Sequence, residues 1–238
     1  MSSVWNQLAN KFNNRKKRKS VLETRGHRAV NKKQVSALMQ CLEYLSKNIS
    51  IFGLFLSSGS TNHLERIYRK IEAGDERLLN YLLETSASRE CAMAMHRFIR
   101  CYKISILPER TLNLLCARNE GIPRRLVALD ALNLILHESS GAKFQFAREY
   151  LRMMQHLTLR GYLTPNEIRI IISPYLAVPV LFPGRNSMHN IASESAVLME
   201  MFLIAHLLDD PATLSMELAL ETKRLAQQRR PPTNASNR

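Results

Sequence analysis

The sequence predicts an all-α protein, and three observations predict it. Apolar residues recur at steps of three and four along most of the chain, the spacing of one helix face. Leu, Met and Ala are frequent, while the strict alternation of a half-buried strand is scarce. Only 8 glycines occur in 238 residues. A hydrophobic fraction of 45% with 7% aromatics is enough for a packed core, and the length fits one domain with tails or at most two small domains.

Taken in order, the first helix is predicted over Lys32 to Asn48, with Val35, Leu38, Met39, Leu42 and Leu45 on one face. A second is predicted from Thr61 to Ala73 with Leu64, Ile67, Tyr68 and Ile71 inward; Ser60 or Thr61 suits its N-cap and Gly74 its C′ position. Leu78 to Leu83 forms a short apolar run. Ser88 is a candidate N-cap for a helix carrying Ala92, Met95, Phe98 and Ile99. Pro123 opens a strong helix through Leu136 that ends near Glu138 to Gly141, and Phe144, Ala147, Tyr150, Leu151, Met154 and Leu157 give the next face. The short link between these two makes them expected antiparallel neighbours. Thr164 before Pro165 is a further start signal. A last core helix is predicted from Ile191 to Leu208, with an amphipathic extension from Thr213 to Gln227.

Between the first two helices lies Gly53-Leu54-Phe55-Leu56-Ser57-Ser58-Gly59-Ser60, an ordered connector by its apolar anchors and paired glycines. This layout resembles the RhoGAP domain, in which a helix runs into a Gly-[Leu/Ile]-Phe-Arg-x-Ser-Gly turn whose arginine is the catalytic finger. Leu56 stands at the arginine's place. The flanks Glu43 to Asn48 and Arg69 to Gly74 also look like the family's. The stretch Ala92 to Arg100 resembles the family's LLKxFLRELPEPL segment, with His96 at the position of a lysine that supports the catalytic loop and Arg97 beside it. Tyr162 to Leu176 resembles NKMTxxNLAxxFGPNL, aligning without gaps, but Gly161, Glu167 and Tyr175 replace its asparagines. The likeness spans roughly 32 to 208, in order, and departs most at the functional positions.

The resemblance implies a RhoGAP-like helical bundle over 28–210; outside it, charge and periodicity read as a basic arm over 1–27 and a helical extension with a polar tail over 211–238. The resemblance further implies a Rho-family small GTPase as partner, met through Leu56, Ser57, His96, Arg97, Arg100, Glu167 and Tyr175. Without an arginine at 56 it implies a pseudo-GAP with no catalytic residue. Arg97 and Arg100 are the nearest candidates for a displaced finger. Set against this, a histidine on a helix is more often a structural residue than a functional one.

The net charge of +14 is unevenly placed. Residues 1–33 hold ten Lys/Arg against the single acid Glu23, and 221–238 hold five against Glu221, which leaves 34–220 with 19 bases and 18 acids. A nearly neutral core lacks the basic stripe of a nucleic-acid-binding domain. Val4, Trp5, Leu8 and Phe12 fit one face of a short helix, followed by Arg15, Lys16, Lys17, Arg18 and Lys19. Residues 4–19 suit an anionic membrane surface; the 15–19 cluster also suits a nuclear localisation signal, and the bland alternative is a solvated arm. The expected setting is cytoplasmic, membrane-peripheral or nuclear. Cys41, Cys91, Cys101 and Cys116 have no CxxC spacing and read as reduced core thiols. No apolar run reaches the ~20 residues of a membrane span. No metal-ligand spacing, phosphate loop, paired carboxylates or Cys/His pair is recognisable, so neither a metal nor another cofactor is expected. The reading from a different class is a helical adaptor unrelated to GTPases, whose basic arm contacts membrane or nucleic acid.

Overall fold

A computed structural model of the chain describes residues 30–48, 53–55, 59–102, 104–117, 119–163, 168 and 188–228, with side chains of the 188–203 helix from 196 onward. Among the described residues the architecture is all-α: nine helices and one 3-10 turn pack around a continuous apolar core, without a strand.

Helix α1 spans Lys32–Asn48. Its start is fixed by a reciprocal cap: Gln34 N–H donates to Asn31 Oδ1 at 2.9 Å and Asn31 N–H to Gln34 Oε1 at 3.1 Å. Helix α2, Thr61–Ala73, begins at Ser60 and ends at Gly74, whose φ of 67° places it in the left-handed region. Gly74 N–H bonds to Ile71 and Asp75 N–H to Lys70, closing the carbonyl end as a Schellman motif does. A Cβ on Gly74 would lie 2.4 Å from Lys33 Cβ. Glycine therefore both turns the chain and lets α1 approach the end of α2.

Helix α3 spans Leu78–Thr85 and α4 spans Ser88–Cys101. The sequence offers Ser88 as the N-cap of α4, but Ala87 occupies that position and Ser88 is the first helical residue. The reason is a long-range partner: the buried Ser88 hydroxyl lies 3.2 Å from Tyr44 Oη on α1. Helix α5, Glu109–Cys116, was not legible as a helix in the sequence; it follows Pro108 and buries Leu112 and Leu115.

Helix α6 spans Arg124–Glu138, entered directly from Pro123, and α7 spans Gly141–Leu159.

 Although adjacent in the chain, these two helices share little surface. α6 packs chiefly on α8 (Met188–Leu203) and α9 (Pro211–Gln228), whereas α7 packs on α1 and α8. The antiparallel pairing expected from their short link is thus not the main contact of either helix. α6 buries Val127, Ala128, Leu129, Ala131, Leu132 and Ile135, positions too closely spaced for one face, so it needs cover on several sides.

The single helix expected over Ile191 to Leu208 is broken. α8 ends at Leu203 and a 3-10 turn, Ala205–Asp209, follows. Asp210 then caps α9, accepting from Thr213 N–H at 3.1 Å and Thr213 Oγ1 at 2.6 Å. α9 is part of the packed body: Leu214 is buried, and Arg125 of α6 reaches Glu200 of α8 at 3.5 Å and Glu217 of α9 at 3.1 Å. The expected core boundary at 210 therefore falls between two packed elements.

Cys41 and Cys91 are buried free thiols, and burial pushes the Cys91 thiol well above its usual range. Cys101 departs from the expected core placement: it is exposed at the end of α4. The Cys116 side chain lies outside the described residues. Among those residues no helix is long and apolar enough to cross a membrane.

Candidate functional site

The connector between α1 and α2 rests on α4. Gly53 has φ of 69°, and Leu54 and Phe55 turn inward, 1% and 5% exposed. The Phe55 ring stacks on the His96 imidazole with centroids 4.9 Å apart. At the other end of the connector, Ser60 N–H donates to Glu90 Oε1 at 2.7 Å. Gly59, at φ of 61°, passes so close that a Cβ would lie 2.2 Å from the same oxygen. Two contacts on one helix, His96 and Glu90, thus hold both ends of the connector.

His96 continues this chain of contacts inward. Its Nε2 lies 3.0 Å from Tyr150 Oη on α7, and both residues are fully buried. Burial lowers the imidazole pKa to about 3, so the ring is neutral near neutral pH. The resemblance places His96 on the partner-facing side. The structure places it beneath the connector instead, where its ring presents no surface and acts as a brace.

Arg97 and Arg100 are both exposed on α4. Arg97 is engaged with α2: its Nη1 lies 2.8 Å from Glu65 Oε2, and its guanidinium sits 4.4 Å from the Tyr68 ring centroid. The hydrogen bond to Glu65 raises the Arg97 pKa further. No ion pair involves Arg100 among the described residues. Leu56 and Ser57 lie outside the described residues, as do Glu167, Tyr175 and the arm residues Arg15, Lys16, Lys17, Arg18 and Lys19. So does the Thr164 start signal. Of the Tyr162 to Leu176 segment, Leu163 and Ile168 are buried in the core.

Glu90, Glu65 and the Tyr150 hydroxyl were missed by sequence reasoning. Their contacts span 30, 32 and 54 positions, beyond any helical spacing. The one available signal was that a buried tyrosine and a buried histidine each need a polar partner. Among the described residues no group of His, Cys, Asp or Glu is arranged to hold a metal. The chain matches no protein-family model, no curated protein and no solved structure.

Proposed function

We propose that this chain is a RhoGAP-like pseudo-GAP, a module that binds a Rho-family small GTPase and leaves its hydrolysis nearly unaccelerated. The observation that carries the reading is the bracing of the 53–60 connector on α4 by Phe55–His96 and Ser60–Glu90. A GTPase-activating turn needs such support, because its effect depends on presenting one side chain in fixed geometry. The buried Leu163 and Ile168 support it further, since they stand at apolar positions of the second resembling segment.

The mechanism follows from what position 56 lacks. A GTPase holds nucleotide and magnesium but stabilises the charge on the transferring phosphoryl group poorly, and a guanidinium supplied in trans is worth roughly 10³–10⁵ in rate. Leucine has neither charge nor donor. Arg97 would have to leave Glu65 and Tyr68 to serve instead, which makes the uncommitted Arg100 the better candidate for a displaced finger.

Single-turnover phosphate release with stoichiometric protein tests the reading, alongside capture of GTP-loaded Rho-family GTPases. Binding with at most a few-fold stimulation is expected, and Leu56→Arg should raise that stimulation. Failure to bind any GTP-loaded member would overturn the proposed partner. Strong stimulation by the unmodified protein would overturn the pseudo-GAP assignment, and its loss in Arg100→Ala would identify the finger.

A further inference from the structure

We infer that Cys41 and Cys91 are a redox pair, which a peroxide joins in a disulfide between α1 and α4. Both thiols are free and fully buried. They meet across one seam: the Cys91 thiol donates to the Cys41 carbonyl at 4.0 Å, and the Cys41 side chain is its other hydrogen-bond neighbour. One helical turn along the same seam, Tyr44 Oη lies 3.2 Å from Ser88 Oγ. Residue numbers rise on α1 as they fall on α4, so the helices run antiparallel, with 41 facing 91 and 44 facing 88. Two separate contacts therefore fix the register that brings the sulfurs together. A disulfide requires Cα atoms within about 7 Å of each other, a reach that two helix backbones attain where facing side chains are small. Ser88 and Cys91 meet that condition on α4.

With a peroxide as oxidant the chemistry balances. One cysteine sulfur attacks a peroxide oxygen and the O–O bond breaks; the leaving hydroxide takes the thiol's proton as water, and a sulfenic acid remains. The second sulfur attacks the sulfenic sulfur, the S–O bond breaks, and a second water carries off the remaining thiol proton. Burial holds the Cys91 thiol protonated, and the thiolate is the nucleophile, so the closed seam resists and oxidation follows its opening. The exposed Cys101 reacts without that wait. Once made, the bond ties α1, which leads into the 53–60 connector, to α4, which braces it. Glu90, whose carboxylate accepts from Ser60 N–H, is the residue next to Cys91. The oxidised chain thus holds both supports of the connector in one position, whatever partner the connector meets.

The experiment treats the full reduced chain with hydrogen peroxide, blocks the remaining thiols with iodoacetamide and maps the unreduced peptides by mass spectrometry. The expected product is a Cys41–Cys91 peptide pair lighter by two hydrogens, formed within one chain and reversed by dithiothreitol. The bond closes a loop of roughly 50 residues, so the unfolding equilibrium constant should fall on the order of 10³-fold. Amide exchange at Leu54, Phe55 and Ser60 should slow. Cys91→Ala should abolish all of these changes, and so should Cys41→Ala; the peptide map of the unmodified chain needs neither variant to fold. Peroxide consumed at Cys101 or Cys116 without a Cys41–Cys91 pair, after the amides of 41 and 91 have exchanged and the seam has therefore opened, overturns the inference. A crosslinked chain that unfolds more easily than the reduced one also overturns it, since the bond would then strain the seam instead of locking it.

Discussion

Acidification should loosen the protein through the buried His96 imidazole. The imidazole has a pKa of about 3 in the folded state against an ordinary 6.5. Between these values the unfolded chain binds a proton that the folded chain refuses, so stability is fully present above pH 6.5 and falls as pH drops toward 3. The slope approaches about 1.4 kcal/mol per pH unit, and integration to about pH 4.5 gives a loss of roughly 3 kcal/mol. Asp75 and Asp210 are lowered below their ordinary 3.8, Asp75 first by its hydrogen bond from Lys70 and Asp210 by that from Thr213. Their contributions are present above 3.8 and disappear only at more acid pH, below the interval from about 4.5 to 6.5 over which His96 acts. Urea melts of the unmodified protein and His96→Gln across that interval provide the assay. Glutamine can still bond Tyr150 but does not titrate, so the variant should start less stable and show a shallower acid slope. Equal slopes for the two proteins would refute the assignment of a buried neutral imidazole at 96.

Phe55→Ala should cost about 3–5 kcal/mol in denaturant melts, because it empties a packed site and removes the stack on His96. Gly59→Ala should cost about 1–3 kcal/mol, combining a left-handed backbone with the close Glu90 carboxylate; a neutral effect would show that the connector does not need its present path. Arg125→Ala should cost about 1–2 kcal/mol, a value reduced for its 39% exposure. It should also speed proteolysis within α9, and unchanged cleavage would show that the ion pairs do not hold that helix.

Elements with a strong local signal were legible in the sequence. α1 and α2 have the predicted bounds because periodicity and cap agree there: Lys32 to Asn48, and Thr61 to Ala73 ending at Gly74. Phe55 was legible as an anchor because a large aromatic between two glycines has few other uses. Failures arose where a distant contact decided the outcome. Ser88 looks like a cap, but Tyr44 claims its hydroxyl; α8 looks continuous to Leu208, but the chain turns at Ile204 to bring α9 onto α6. The candidate site was half legible. Sequence placed the connector beside α4, yet could not tell that His96 lies under it while Arg97 is already occupied by Glu65.

The packing of α6 also has a consequence for biosynthesis. α6 is apolar on several sides, and α8 and α9, which cover it, come later in the chain. As the polypeptide leaves the ribosome, α1 to α4 can assemble while α6 still waits for its partners. During that interval its Leu129, Leu132 and Ile135 present a sticky surface of the kind that chaperones shield. Translation pauses between α6 and α9 would prolong the exposure, making this interval the one in which a nascent chain is most prone to aggregate.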